Sequence, residues 1–104
     1  MTLHELIADK LERADAETRQ ALLRIPLDNI DRWIVNGHTA PHRLEHWRQI
    51  ILRARQSDEG FAELLSRLRD SRESAQRLRD FAPFAGVLNL QERRQATPEC
   101  AYHF

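Results

Sequence analysis

The chain reads as an all-α protein: a compact bundle of five to six short helices with a helix-turn-helix-like centre and an irregular apolar C-terminal segment. Three observations predict this. Apolar residues recur three and four positions apart along most of the 104 residues, the spacing that places them on one face of a helix. Three Gly and four Pro leave little turn chemistry, so long regular elements must dominate. Helix-start signals also stand just ahead of several of the apolar stripes.

The elements follow in order. Thr2 and Glu5 form a capping-box pattern, and Leu3, Leu6, Ile7 and Leu11 share one face behind it, which predicts a first helix from Leu3 to Arg13. Asp15 can cap a second helix over residues 17–24, with Ala21, Leu22 and Ile25 inward. Pro26 is expected to interrupt it, because proline lacks the donor N–H and its ring clashes with the preceding turn. The same proline can open a third helix, whose buried stripe is Leu27, Ile30, Trp33 and Ile34. Gly37 ends that helix after Asn36, and a turn over residues 37–40 leads into Pro41. A fourth helix, residues 41–55, buries Leu44, Trp47, Ile50, Ile51 and Ala54 and turns His42, His46, Gln49 and Arg53 outward. Ser57 or Asp58 caps a fifth, with Phe61, Leu64, Leu65 and Leu68 inward.

The stripe falters over residues 70–72 and resumes at Ala75 and Leu78. Asp70 with Glu73 offers another capping box, so two short helices are read there, one long helix being the alternative. Residues 81–90, FAPFAGVLNL, are apolar but broken by Pro83 and Gly86, and Asn89 with Glu92 can cap one last turn. The expected organisation is a single helical domain over residues 1–94 and a disordered tail over 95–104.

Charge narrows the function classes. The formal net charge is zero, against a wholly basic nucleic-acid binder. Its distribution is uneven: residues 1–31 carry four basic and seven acidic side chains, residues 32–55 five Arg against one Glu, and residues 56–104 seven basic and eight acidic groups. The middle segment alone can attract a polyanion, with His38, His42 and His46 beside its arginines. Every basic side chain except Lys10 is Arg, which suits bidentate contacts to phosphate or carboxylate. The single Cys100 excludes an intramolecular disulfide and fits a reducing, cytoplasmic setting. The start of the chain alternates charge with Leu, unlike a signal peptide, and no apolar run is long enough for a membrane span.

Three patterns bear on catalytic chemistry. His42-Arg43-Leu44-Glu45-His46 fits the H-x-x-E-H pattern of inverted zinc proteases, with both histidines on one helical face. No third ligand is placed for it, and the chain is too short for the lobes of such an enzyme, so a solvated polar face is the expectation. Cys100 and His103 share the predicted tail and have no rigid frame for nucleophilic chemistry. The glycines at 37, 60 and 86 are isolated, so they form no phosphate-cradling loop. The expectation is a binding protein rather than an enzyme, with no metal and no cofactor.

Residues 25–51, IPLDNIDRWIVNGHTAPHRLEHWRQII, carry the remaining signal. They resemble the second half of the helix-turn-helix domain of Cro and repressor-type phage regulators. Ile30 and Trp33 match buried positions of the recognition helix, and Asn36, Gly37 and Pro41 match the turn and the restart. The resemblance implies that Asn29 and Arg32 face the major groove, Asn suiting adenine and Arg guanine. It also implies that His38 and Arg43 touch phosphates. Gln20 and Arg24 stand where such domains carry a small residue and a turn Gly, and Asp28 and Asp31 put negative charge on the implied DNA face.

Phe81, Phe84, Val87 and Leu88 have two readings: they fold back to complete the core, or they form a hydrophobic arm that docks into a protein partner. A helical head with such an arm resembles the organisation of small bacterial antitoxins, in which the head binds operator DNA and the arm blocks a toxin. The expected function is thus a regulator or antitoxin-like protein that binds DNA and a protein partner. The alternative is an adaptor or self-associating bundle with no nucleic-acid role.

Overall fold

A computed structural model of the chain describes residues 2–37, 41–70 and 83–96. The described residues form five helices: α1 (Leu3–Arg13), α2 (Ala16–Val35), α3 (Pro41–Gln56), α4 (Asp58–Arg69) and the short α5 (Leu90–Arg93). The all-α class is as the sequence predicts.

The helix starts are built by the residues that signalled them. Thr2 Oγ1 accepts from the Glu5 N–H and the Glu5 carboxylate accepts from the Thr2 N–H, so two otherwise orphaned donors are satisfied at once. Asp15 accepts from the Thr18 N–H at 2.7 Å, a bond that holds its carboxyl below the usual carboxylate range. Ser57 caps α4 through the Gly60 N–H, and Asn89 with Glu92 closes a second capping box on α5. Gly37 follows α2 at a φ of 79°, a left-handed conformation that glycine adopts without steric cost.

Pro26 does not interrupt its helix. Residues 16–35 form one continuous helix of 20 residues with the proline inside and fully buried. Two expected helices are therefore one. The physical reason lies in the stripe: Leu23, Pro26, Ile30 and Trp33 fall at i, i+3, i+7 and i+10, one unbroken helical face directed at the core. Burying that face outweighs the single backbone hydrogen bond that proline cannot donate. Within the same helix the expected inward Ala21 is exposed and Leu23 is buried in its place.

α3 is the central element, packed against α2 on one side and α4 on the other, and α1 packs onto α4. All five apolar residues expected inward on α3 are buried, as are Phe61, Leu64, Leu65 and Leu68 of α4. Gly60 lets the start of α4 approach the end of α3 closely: a Cβ there would lie 2.1 Å from the Arg53 carbonyl oxygen. Asp70 terminates α4. The expected continuation through Ala75 and Leu78 lies outside the described residues, as does the expected 95–104 tail from 97 onward; its first two residues, Gln95 and Ala96, donate their N–H groups to the Glu92 and Arg93 carbonyls. Among the described residues no helix is long and apolar enough to cross a membrane.

Residues 83–88 complete the core. Phe84, Val87 and Leu88 are 4%, 1% and 6% exposed and belong to the same apolar cluster as the four long helices. The Phe84 ring meets Trp47 edge-on with centroids 5.3 Å apart, a favoured aromatic geometry. Of the two readings of this segment, folding back is the observed one for Phe84, Val87 and Leu88; Phe81 lies outside the described residues.

Candidate nucleic-acid interface

The side chains that the sequence assigned to DNA separate into two groups. Asn29, expected to face the major groove, is 3% exposed and points inward. Its amide Nδ2 donates to the carbonyls of Pro83 at 2.9 Å and Ala85 at 2.8 Å, so its two donors hold the 83–88 segment against α2. Its Oδ1 accepts from the Arg32 guanidinium. A fully bonded, buried amide has nothing left with which to read a base edge, and Asn29 is therefore a structural clamp. Arg32 keeps an exposed side chain but is drawn to that clamp. The turn that would precede a recognition helix is also missing, since residues 24–26 lie inside α2. His38 lies outside the described residues.

Arg43 falls in the second group, exposed near the start of α3. Around it, His42, His46, Gln49 and Arg53 are exposed as well, at spacings of four, three and four that keep them on one helical face. From His42 to Arg53 this face runs about 16 Å along the helix axis. The exposed positions of α3 include no large apolar side chain; the large apolar residues that are exposed, Val35 and Leu90, lie elsewhere. Glu45, half-buried on the flank, is 2.9 Å from Arg48, which also bridges to Asp31 on α2. Arg53 lies 3.3 Å from Glu63 at the rim of the face.

The two carboxylates that burdened the α2 reading are also matched to cations. Asp28 lies 3.6 Å from Arg24 one turn away, and Asp31 takes Arg48 across from α3. Gln20 and Arg55 exchange hydrogen bonds that pin the first half of α2 to the end of α3, through the Arg55 Nε at 2.8 Å and the Arg55 carbonyl at 3.3 Å. Gln20, which stood out in the sequence as misplaced for a helix-turn-helix domain, is thus a packing residue of this fold.

Other polar groups stitch the ends together. Lys10 donates to the Val87 carbonyl and to Glu92, both at 2.8 Å, and this bond with the Asn89 N–H holds the Glu92 carboxyl below its usual range. Arg69 at the end of α4 reaches Glu12 at 2.8 Å and Asp9 at 2.9 Å; it lowers the Glu12 carboxyl and is itself raised by the two acids. Arg19 donates to the carbonyls of Leu11, Glu12 and Ala14 while its guanidinium sits 3.9 Å from the Phe61 ring centroid, closing the end of α1. Nothing in the sequence pointed to Lys10 or Arg19 beyond Lys10 being the only lysine.

The H-x-x-E-H residues lie on this helix too. His42 and His46 face solvent one turn apart, and the Glu45 carboxylate is committed to Arg48. Among the described residues no group of three or more His, Cys, Asp or Glu is placed to hold a metal ion. Cys100 and His103 lie outside the described residues. No family model matches the chain, and the comparisons with curated proteins and with solved structures return no match either.

Proposed function

We propose that this chain is a non-catalytic regulatory protein that binds nucleic acid through the outer face of α3. The observation that carries the reading is the character of that face: His42, Arg43, His46, Gln49 and Arg53 lie exposed together, no large apolar side chain stands at the exposed positions of the helix, and its one carboxylate, Glu45, is paired with Arg48. A protein partner is gripped through desolvated aromatic or aliphatic anchors, and this face offers none. A phosphate backbone asks for the opposite, cations and hydrogen-bond donors that remain solvated. A helix of this kind also fits the major groove of a duplex, which is roughly 12 Å wide.

The reading keeps the class of partner suggested by the Arg-rich middle of the sequence and moves the contact from the second half of α2 to α3. It is tested by fluorescence-anisotropy titration of the full chain with a labelled duplex over a series of salt concentrations. Binding should weaken linearly in log affinity against log salt, and replacing Arg43 by Gln should reduce that slope by about one. No binding at low salt, or an affinity indifferent to salt, removes the proposal.

A further inference from the structure

We propose a second, separate binding site for a small carboxylate with an apolar body, in the cleft between the start of α1 and the 83–88 segment. The cleft has a volume of about 200 Å³. Drug-sized pockets run to roughly 300–1,000 Å³, so this one takes a smaller molecule. Leu3, Ile7, Phe84 and Leu88 give it apolar walls. The His4 ring meets Phe84 edge-on at a centroid distance of 6.5 Å, which fixes one wall. The turn beneath is held by Gly86 at a φ of 94°, with Ile25 directly behind it.

Arg93 supplies the charge. It lines the cleft from α5, and its guanidinium makes no ion pair or hydrogen bond among the described residues. Most other cations near the core are engaged: Lys10 with Glu92, Arg48 with Asp31 and Glu45, Arg69 with Asp9 and Glu12. A planar guanidinium beside apolar walls fits a ligand with a carboxylate at one end and hydrocarbon at the other. A highly charged, wholly polar anion would leave those walls unused.

The cleft carries its own reporter, because its Phe84 wall contacts Trp47. In the Trp33→Phe variant, hexanoate titration should change the remaining tryptophan fluorescence saturably, and calorimetry on the unmodified chain should give the same affinity. Hexanamide, equal in shape but uncharged, should bind at least tenfold more weakly, and Arg93→Gln should weaken hexanoate by a similar factor. Arg93 is exposed, so this variant should keep its fold, which its circular dichroism checks. Absence of saturable binding by both methods, equal binding of the amide, or an unchanged affinity in a folded Arg93→Gln variant would each overturn the site.

Discussion

α2 and α3 follow one another in the chain, and both are amphipathic helices that carry arginines with other polar side chains, Gln20 and Asn29 on α2 and His42, His46 and Gln49 on α3. They use those side chains in opposite ways. On α2 the polar groups are spent inside the molecule: Asn29 clamps the carbonyls of Pro83 and Ala85, Arg32 bonds to Asn29, and Gln20 locks to Arg55. On α3 Leu44, Trp47, Ile50, Ile51 and Ala54 are buried, and a row of polar side chains faces solvent. The lesson is that residue types suited to reading DNA say little until burial is known. An amide with all its hydrogen bonds made inside the fold is structure, and an exposed one beside arginines is a surface.

The contrast is broken most severely at Phe84, which joins the segment held by α2 to Trp47 of α3. Phe84→Ala should cost roughly 3–5 kcal/mol, the range for removing a buried aromatic, measured by urea denaturation. A loss near zero would mean that the 83–88 segment is an arm resting on the surface and not part of the core.

Asn29 divides the two readings of α2 directly. Asn29→Ala leaves two carbonyls without their donor and should cost roughly 1–3 kcal/mol of stability. The affinity of the folded variant for a duplex should be unchanged. Normal stability with lost DNA affinity would restore Asn29 to the nucleic-acid face.

A smaller effect is expected at the surface, where substitutions away from special features change stability by less than about 0.5 kcal/mol. Arg43→Gln should weaken duplex binding while leaving denaturation unaltered, and Arg32→Gln should leave the salt slope of binding as it is. An equal loss in the two variants would place both helices against the ligand.

The smallest expected effect is electrostatic. The Glu92 carboxyl is held low first by its bond to Lys10 and then by the Asn89 N–H. A carboxyl depressed in the folded state contributes stability that is fully present above its unfolded pKa of about 4.3 and is lost as pH falls through the folded value. Thermal melts should therefore decline as pH is lowered below about 5, and Glu92→Gln should flatten part of that decline. A Glu92→Gln profile parallel to that of the unmodified chain would show that the Lys10–Glu92 pair adds nothing to stability.

The sequence was legible wherever one periodicity acted alone. Thr2 with Glu5, and Asn89 with Glu92, announced caps that the fold builds, and the inward residues of α3 and α4 were readable from spacing. It misled where a local rule met a tertiary one. Proline argued for a break, but Leu23, Pro26, Ile30 and Trp33 keep helical register across it, and that longer pattern was the signal to follow. Asn29 falls three residues after Pro26 and just before Ile30, on the buried side of the same stripe, so its inward position was also written in the spacing. The partners of Lys10 and Asn29 lie 77 and 54 residues away, and no local pattern encodes contacts of that range. Of the proposed interface, the outward set His42, His46, Gln49 and Arg53 was legible as a face, because its spacing of three and four runs opposite the buried stripe of α3.

The central claim, that α3 and not α2 meets the nucleic acid, is tested most directly by amide chemical-shift mapping. The isotope-labelled chain would be titrated with an unlabelled duplex at low salt. The expected result is that the amides at His42, Arg43, His46, Gln49 and Arg53 move saturably while those at Asn29 and Arg32 stay in place. Shifts centred on Asn29 and Arg32 with α3 unmoved, or no saturable shift anywhere, would contradict it.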